Sequence, residues 1–308
     1  MLSTVPAIAN LESLRGKLSD GSYQLVDKDD NVIPNDSYVD YLNTIKQDYN
    51  LLLTVHPKGF KQLKDKYDNI LSEAQLKTKI RCKNDKGKTH YIEFYELIVK
   101  AMNYNKVQST IFPPIMRDQL EIKTCVYCNS QYAATTKGSR AMYELDHCVP
   151  KSVAPYLSTS FFNLQPCCGP CNRRKSNRLF VEGAGWEYNL SIWKEPDDQL
   201  GDLFKFKLDK TSLTQYATMH DKSALLVQLV TSKHNDANSK KLLKEVDDKL
   251  CINALYQCFN DVVEEIAWRK LCYTPGYIEG LKKEFKNNFP DMGTEWVRLV
   301  YGSYTNSD

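Results

Sequence analysis

The sequence predicts an α+β protein that is mainly helical, and three observations carry that prediction. Apolar residues recur at steps of three and four through both flanks of the 308-residue chain, the rhythm of amphipathic helices. The stretch from Cys125 to Arg178 breaks that rhythm with two Cys-x-x-Cys pairs, a strand-like alternation and a helix started by proline. Length is the third, because single cores stop growing near about 250–300 residues. Three regions are therefore expected: an N-terminal helical region at 1–115, a central module at 116–185 and a mostly helical C-terminal region at 186–308.

In the N-terminal region Asp36 can cap a helix carrying Tyr38, Tyr41, Leu42, Ile45, Tyr49, Leu52 and Leu53, which His56-Pro57 stops. A second helix is expected from Gly59 to about Leu71, and a third through Tyr91, Phe94, Tyr95, Ile98 and Met102. The turn-rich segment GSYQLVDKDDNVIPNDS has the makings of a short hairpin. Lys86-Gly87-Lys88-Thr89 resembles the end of a phosphate-binding loop, but Cys82 stands where that motif requires glycine, so nucleotide binding is not expected. Phe112-Pro113-Pro114 marks a break before the central module.

Beyond the module, Asn177 to Pro196 reads as irregular, and Phe204-Lys205-Phe206-Lys207-Leu208 alternates like a short strand. Leu242, Leu243, Val246, Leu250, Leu255, Phe259, Val262, Val263 and Ile266 then trace one face of a long helix or a broken pair. Cys251 and Cys258 fall on that stripe and, with Cys272, read as small buried hydrophobes. His56, His90, His220 and His234 stand alone and read as structural or surface residues.

Composition narrows the class. Charged residues at 26%, hydrophobic residues at 42% and a mean hydropathy of −0.50 fit a water-soluble chain. No apolar run approaches the roughly 18 residues of a membrane span. The N-terminus has no basic stretch leading into an apolar core, so no secretory signal is expected. Ten cysteines in that setting point to a reducing, cytoplasmic compartment, where closely paired thiols read as metal ligands. The net charge of +3 is uneven: Lys137 to Arg178 holds seven basic and two acidic residues, leaving the rest of the chain at −2. Such a local field suits a polyanion such as nucleic acid.

Cys125 and Cys128 are two residues apart, as are Cys168 and Cys171, with 39 residues between the pairs. Two knuckles of this spacing complete the tetrahedron of a structural zinc site. Cys167 is an alternative to Cys168, but it would leave three residues before Cys171. Cys148 reads as a bystander. The long insert carries Met142-Tyr143-Glu144-Leu145, which alternates like a strand and delivers Asp146-His147. Tyr132 to Thr136 can be its partner strand, turning through Lys137-Gly138-Ser139, and Pro170 to Asn177 reads as a helix because proline suits the first helical turn.

These elements together resemble a known family. Cys-x-x-Cys, Glu-Leu-Asp-His-x-x-Pro-Lys-Ser, Asn-Leu and Cys-x-x-Cys-Asn-x-x-Lys are similar, in order and spacing, to the HNH endonucleases, the zinc-stapled branch of the ββα-metal nucleases. The resemblance implies that Asp146 is a ligand of a catalytic divalent ion, His147 the general base and Asn163 the residue orienting the loop and His147. Its third signature position, often histidine, falls on Asn172, whose amide oxygen suits a hard ion and so implies Mg²⁺ or Mn²⁺. Lys175 completes the catalytic set, while Lys151, Arg173, Arg174 and Arg178 are expected to hold nucleic-acid phosphates.

The expected activity is hydrolysis of DNA phosphodiester bonds, with an RNA-cleaving nuclease or a zinc-knuckle binding module without catalysis as alternatives. The flanks carry no identifiable DNA-reading motif. That arrangement resembles HNH effectors paired with ATPases in bacterial anti-phage systems of the Septu type, and it implies a regulatory partner subunit.

Overall fold

The computed structural model describes residues 6–83, 86–120, 122–138, 140–180, 192–193, 204–231, 237–272 and 274–288. Helices dominate, with three small antiparallel sheets among the described residues, so the fold is mixed α+β and mainly helical as the sequence predicts. The chain forms two compact units, Met1–Leu203 with Lys233–Leu250, and Phe204–Ser232 with Cys251–Asp308. The expected regions 1–115 and 116–185 both fall within the first unit.

The first unit opens with α1 (Ala7–Ser19) and β1 (Gln24–Val26), and Val26 bridges to Val32 in the short hairpin expected there. α2 (Asp36–Thr54) buries all seven residues that its rhythm marks. Its cap is different: Asn35 precedes the helix and spends its side-chain amide on the Leu18 carbonyl, leaving Asp36 as the first helical residue. After a 3-10 turn at Pro57–Gly59 come α3 (Phe60–Asp68) and α4 (Glu73–Leu76), the latter opened by a Ser72/Gln75 capping box.

β2 (Lys79–Lys83) and β3 (Thr89–Glu93) then form a hairpin on β1. Tyr91 thus lies on a strand, and α5 (Phe94–Ala101) begins only at Phe94, because Thr89 to Glu93 pair with Lys79 to Lys83 in the sheet ladder. Gly87, at φ +72°, serves the connection between these strands, a backbone geometry that glycine adopts freely. α6 (Tyr104–Lys106), a π-helical turn at Val107–Ile111, α7 (Phe112–Ile115) and a second π-helical turn at Met116–Leu120 follow without a gap. Phe112-Pro113-Pro114 is therefore inside a helical run rather than a break, with both prolines in the four-residue α7.

The central module contributes β4 (Glu144–His147), β5 (Leu164–Cys167) and α8 (Gly169–Lys175). The partner of β4 is β5, with Asp146 opposite Gln165, and not Tyr132–Thr136. That earlier segment does turn back through Lys137-Gly138, with Thr135 bridging Ala141, but it forms isolated bridges rather than a strand. α8 stops at Lys175, two residues before its expected end, because Ser176 takes φ +51°.

One apolar core runs from Ala7 through α2, α3 and α5 to Leu145, Val149, Tyr156, Leu157 and Leu164. Tyr156 stacks on Tyr67 at 3.9 Å between centroids, and Tyr41 meets both rings edge-on. The helical flank therefore forms the floor of the module and fixes the loop between β4 and β5.

In the second unit β6 (Phe204–Leu208) matches the expected strand, α9 (Lys210–Met219) is capped by Asp209, and β7 (Val227–Thr231) pairs with β6. Tyr216, Leu225 and Val263 form its small core. The chain returns to the first unit as α10 (Ala237–Leu250), then re-enters the second as α11 (Ile252–Gln257), α12 (Asn260–Cys272) and α13 (Pro275–Asn288). The apolar stripe is thus broken at Cys251, whose φ of +57° ends one helix and starts the next. Cys251 is half-buried and Cys258 exposed, so neither is the buried hydrophobe expected; Val262 is exposed too. The side chains of Cys272 and Ile266, all of His234 and most of Asn177 to Pro196 lie outside the described residues.

Candidate functional site

The four predicted thiols meet. Cys125, Cys128, Cys168 and Cys171 are buried, with their Sγ atoms all within 4.8 Å of one another. A Zn–S distance of about 2.3 Å implies tetrahedron edges of about 3.8 Å, and Cys128 and Cys168 Sγ are 4.0 Å apart. The cluster can hold a structural zinc. Hydrogen bonding from the Cys125 thiol holds Cys128 below the usual thiol range, and the same shared contacts push Cys125 and Cys171 above it. Cys125 N–H donates to the Gln131 carbonyl, Asn129 N–H to Cys125, and Asn129 turns at φ +50°, which closes the first knuckle. Cys168 precedes α8 and Cys171 lies on it. Cys167 takes the other direction from β5, its thiol 3.6 Å from the Glu144 carbonyl, and is not in the cluster.

The Asp-His half is assembled on the same two strands. Asp146 is 4% exposed. Lys175 Nζ stands 3.0 Å from both of its carboxylate oxygens and also donates to the His147 carbonyl at 2.7 Å. Tyr127, inside the first knuckle, donates its hydroxyl to Oδ2 of the same carboxylate. Burial pushes the Asp146 carboxyl up, while Lys175 and Tyr127 pull the other way.

His147 is 6% exposed, with its ring 4.7 Å from Tyr104. Its Nε2 lies 2.9 Å from the Ser158 carbonyl, which can only accept, so Nε2 carries the proton and Nδ1 keeps the lone pair. Burial lowers its pKa to about 3, helped by the charges of Lys151 and Lys175. The ring is neutral at physiological pH. Asn163, fully buried, accepts from Val149 N–H at 2.8 Å and donates to the Val149 and Leu157 carbonyls at 3.1 Å. It clamps the loop that carries Ser158 to His147.

Asn172 is half-buried on α8 and donates its amide to Glu144 Oε2 at 2.7 Å, leaving its amide oxygen as an acceptor. Glu144 and Asp146, two apart on β4, share one face of the strand. A cavity of about 330 Å³ is lined by Glu144, Asp146, His147, Lys151, Asn172 and Arg173. Two carboxylates and an amide oxygen, all hard-oxygen donors, therefore share this cavity, and Glu144 Oε1 also pairs with Arg173 at 3.6 Å. Gly169 allows the close approach of α8 to β4: a Cβ there would stand 2.8 Å from Glu144 Oε1.

The basic residues divide. Lys151, over the Tyr104 ring at 5.3 Å, and Arg173, paired with Glu144 at 3.6 Å, line the cavity. Arg174 donates to the Leu250 carbonyl at 2.9 Å and Arg178 pairs with Glu245 at 3.0 Å, both on α10. Lys175, 2% exposed, faces the interior and not a ligand's backbone.

Residues 125–178 match the family model described as HNH endonuclease. The chain carries an HNH domain. The match begins at the first zinc-knuckle cysteine and ends at Arg178, so it spans both halves of the site. No curated protein and no solved structure matches the chain. Nuclease chemistry of the HNH family is what this domain supports, and no helix among the described residues is long and apolar enough to cross a membrane.

Sequence reading left four members of the HNH site without a role: Tyr127, Glu144, Ser158 and Gln165. The alternation of β4 was the available signal for Glu144. Ser158 acts through its backbone and carries no residue-type signal at all.

Proposed function

We propose that the protein is a divalent-cation-dependent endonuclease that hydrolyses DNA phosphodiester bonds, with His147 as general base. The observation that carries this reading is a buried, neutral imidazole whose Nε2 is committed to Ser158, beside a cavity walled by Asp146 and Asn172. Asp146 and Asn172 would hold the cation, with Glu144 alongside; when bound, it supplies positive charge against the phosphate oxygens and the departing O3′. Nδ1 of His147 takes a proton from water as the water oxygen bonds to phosphorus. The P–O3′ bond breaks, leaving a 5′-phosphate and an O3′ that takes a proton from solvent. Asn163 and Ser158 keep the ring oriented throughout, and Lys175 holds Asp146 in place. Lys151 and Arg173 are the cations positioned to meet flanking phosphates, contacts that favour binding without reading sequence.

Plasmid nicking with Mg²⁺ or Mn²⁺ tests this. Wild type should cut, and His147→Ala should lose about 10²–10⁴-fold in rate. Equal cleavage by both removes His147 as the base. DNA binding without cleavage by either would leave a zinc-knuckle binding module, and cleavage of RNA alone would keep the mechanism and change the substrate. We extend the proposal to target choice by a partner subunit, such as an ATPase in an anti-phage system, because neither flank carries an identifiable DNA-reading motif; a monomer fully active and selective alone contradicts that.

A further inference from the structure

We infer that Tyr127 is a positioning residue through which the zinc knuckle fixes the cation-binding carboxylate, an inference resting on the proposed Asp146 cation site. The zinc thereby becomes part of the cation site's geometry, beyond its use as a staple. Tyr127 is the residue just before Cys128, buried at 9% exposure, and the knuckle is tied to β5 by Val126 N–H to the Pro166 carbonyl at 3.4 Å. Its hydroxyl meets two side chains, Asp146 and Gln165.

The direction of these hydrogen bonds follows from their far end. Ile192 N–H donates to Gln165 Oε1 at 3.2 Å, which identifies that atom as the oxygen. Gln165 must then present its NH₂ to Tyr127, and does so at 2.6 Å. A tyrosine oxygen that accepts there has one hydrogen left to give, and it goes to Asp146 Oδ2. Gln165 stands opposite Asp146 in the β4–β5 register, so strand pairing itself sets the relay. Lys175 approaches from α8, so the carboxylate is held from two elements at once: the knuckle, which carries Cys125 and Cys128, and the helix, which carries Cys171 and is preceded by Cys168. The zinc cluster and the carboxylate therefore share one rigid frame.

The test is Mn²⁺ binding to the full zinc-loaded chain, followed by electron paramagnetic resonance, alongside zinc content and the thermal unfolding midpoint. Tyr127→Phe keeps the ring and removes only the hydroxyl. We expect the Mn²⁺ Kd to rise roughly tenfold or more, the loss of a hydrogen bond to a charged group, with one zinc per chain retained. Gln165→Met leaves the knuckle untouched and frees the hydroxyl to rotate; it should raise Kd in the same direction by less. A fall in the unfolding midpoint with Kd unchanged in both variants would make Tyr127 a packing residue and overturn the inference. If wild type binds Mn²⁺ and both variants match it, the inference fails while the cation site stands. If wild type binds none, the cation site itself fails and the inference with it.

Discussion

The cysteine half and the Asp-His half of the HNH module share β4, β5 and α8, and they differ in what closes them. The cysteine half closes on itself: four side chains of one type, two per knuckle, converge within 4.8 Å. The Asp-His half closes only with help from elsewhere. Lys175 comes from α8, Tyr127 from the knuckle, Ser158 from the loop pinned by Asn163, and Tyr104 from the N-terminal flank. A site closed by four side chains of one kind is complete once its ion is bound, whereas a site assembled from several unlike partners borders a cavity that a substrate can enter.

The largest effect should come from breaking the closed half. Cys168→Ser is expected to abolish stoichiometric zinc and open the module to protease, since structural zinc supplies folding free energy outright; Cys167→Ser should keep one zinc per chain. Elemental analysis with limited proteolysis checks both, and zinc loss in Cys167→Ser would reassign the ligand. Next is the buried ion pair of the open half. Lys175→Met strands the Asp146 charge and should cost about 3–5 kcal/mol in urea unfolding. Adding Asp146→Asn should recover much of that; no recovery would mean that Lys175 matters through the His147 carbonyl alone.

Third comes the imidazole. His147 has a folded pKa near 3 against about 6.5 unfolded, so the unfolded chain binds more protons between those values. The stability this group contributes is present above pH 6.5 and is lost as pH falls toward 3, at up to about 1.4 kcal/mol per pH unit. His147→Gln should therefore unfold with a shallower acid dependence than wild type across that window, and parallel curves would show that the ring is accessible to protons. Smallest is the surface pair between Arg178 and Glu245, where Arg178→Ala should change stability by less than about 1 kcal/mol.

The same comparison explains what could be read from the sequence. The convergence of four cysteines, with Cys168 rather than Cys167 among them, is legible because spacing alone decides it. Asp146, His147, Asn163 and Asn172 were found as a pattern of types, and the structure brings Asp146, His147 and Asn172 to one cavity with Asn163 behind them. Nearness in sequence favours Tyr132–Thr136 as the partner of β4, whereas β5 pairs with it from across the insert. Lys175, Arg174 and Arg178 looked alike as basic residues on one helix. Their partners, Asp146, Leu250 and Glu245, lie 29 to 76 positions away, a separation that no local pattern encodes. The helical flank was legible as helices but not as the floor of the HNH site, because Tyr41, Tyr67 and Tyr156 meet only in the folded core.

Metal counting on Asp146→Ala tests the central claim, that one module holds a closed zinc site and a separate open site for a hard cation. Wild type should carry one zinc that survives dialysis and bind one Mn²⁺ that Mg²⁺ displaces. The variant should keep the zinc and lose the Mn²⁺. Retention of Mn²⁺ with wild-type affinity, or loss of both metals together, would contradict the account.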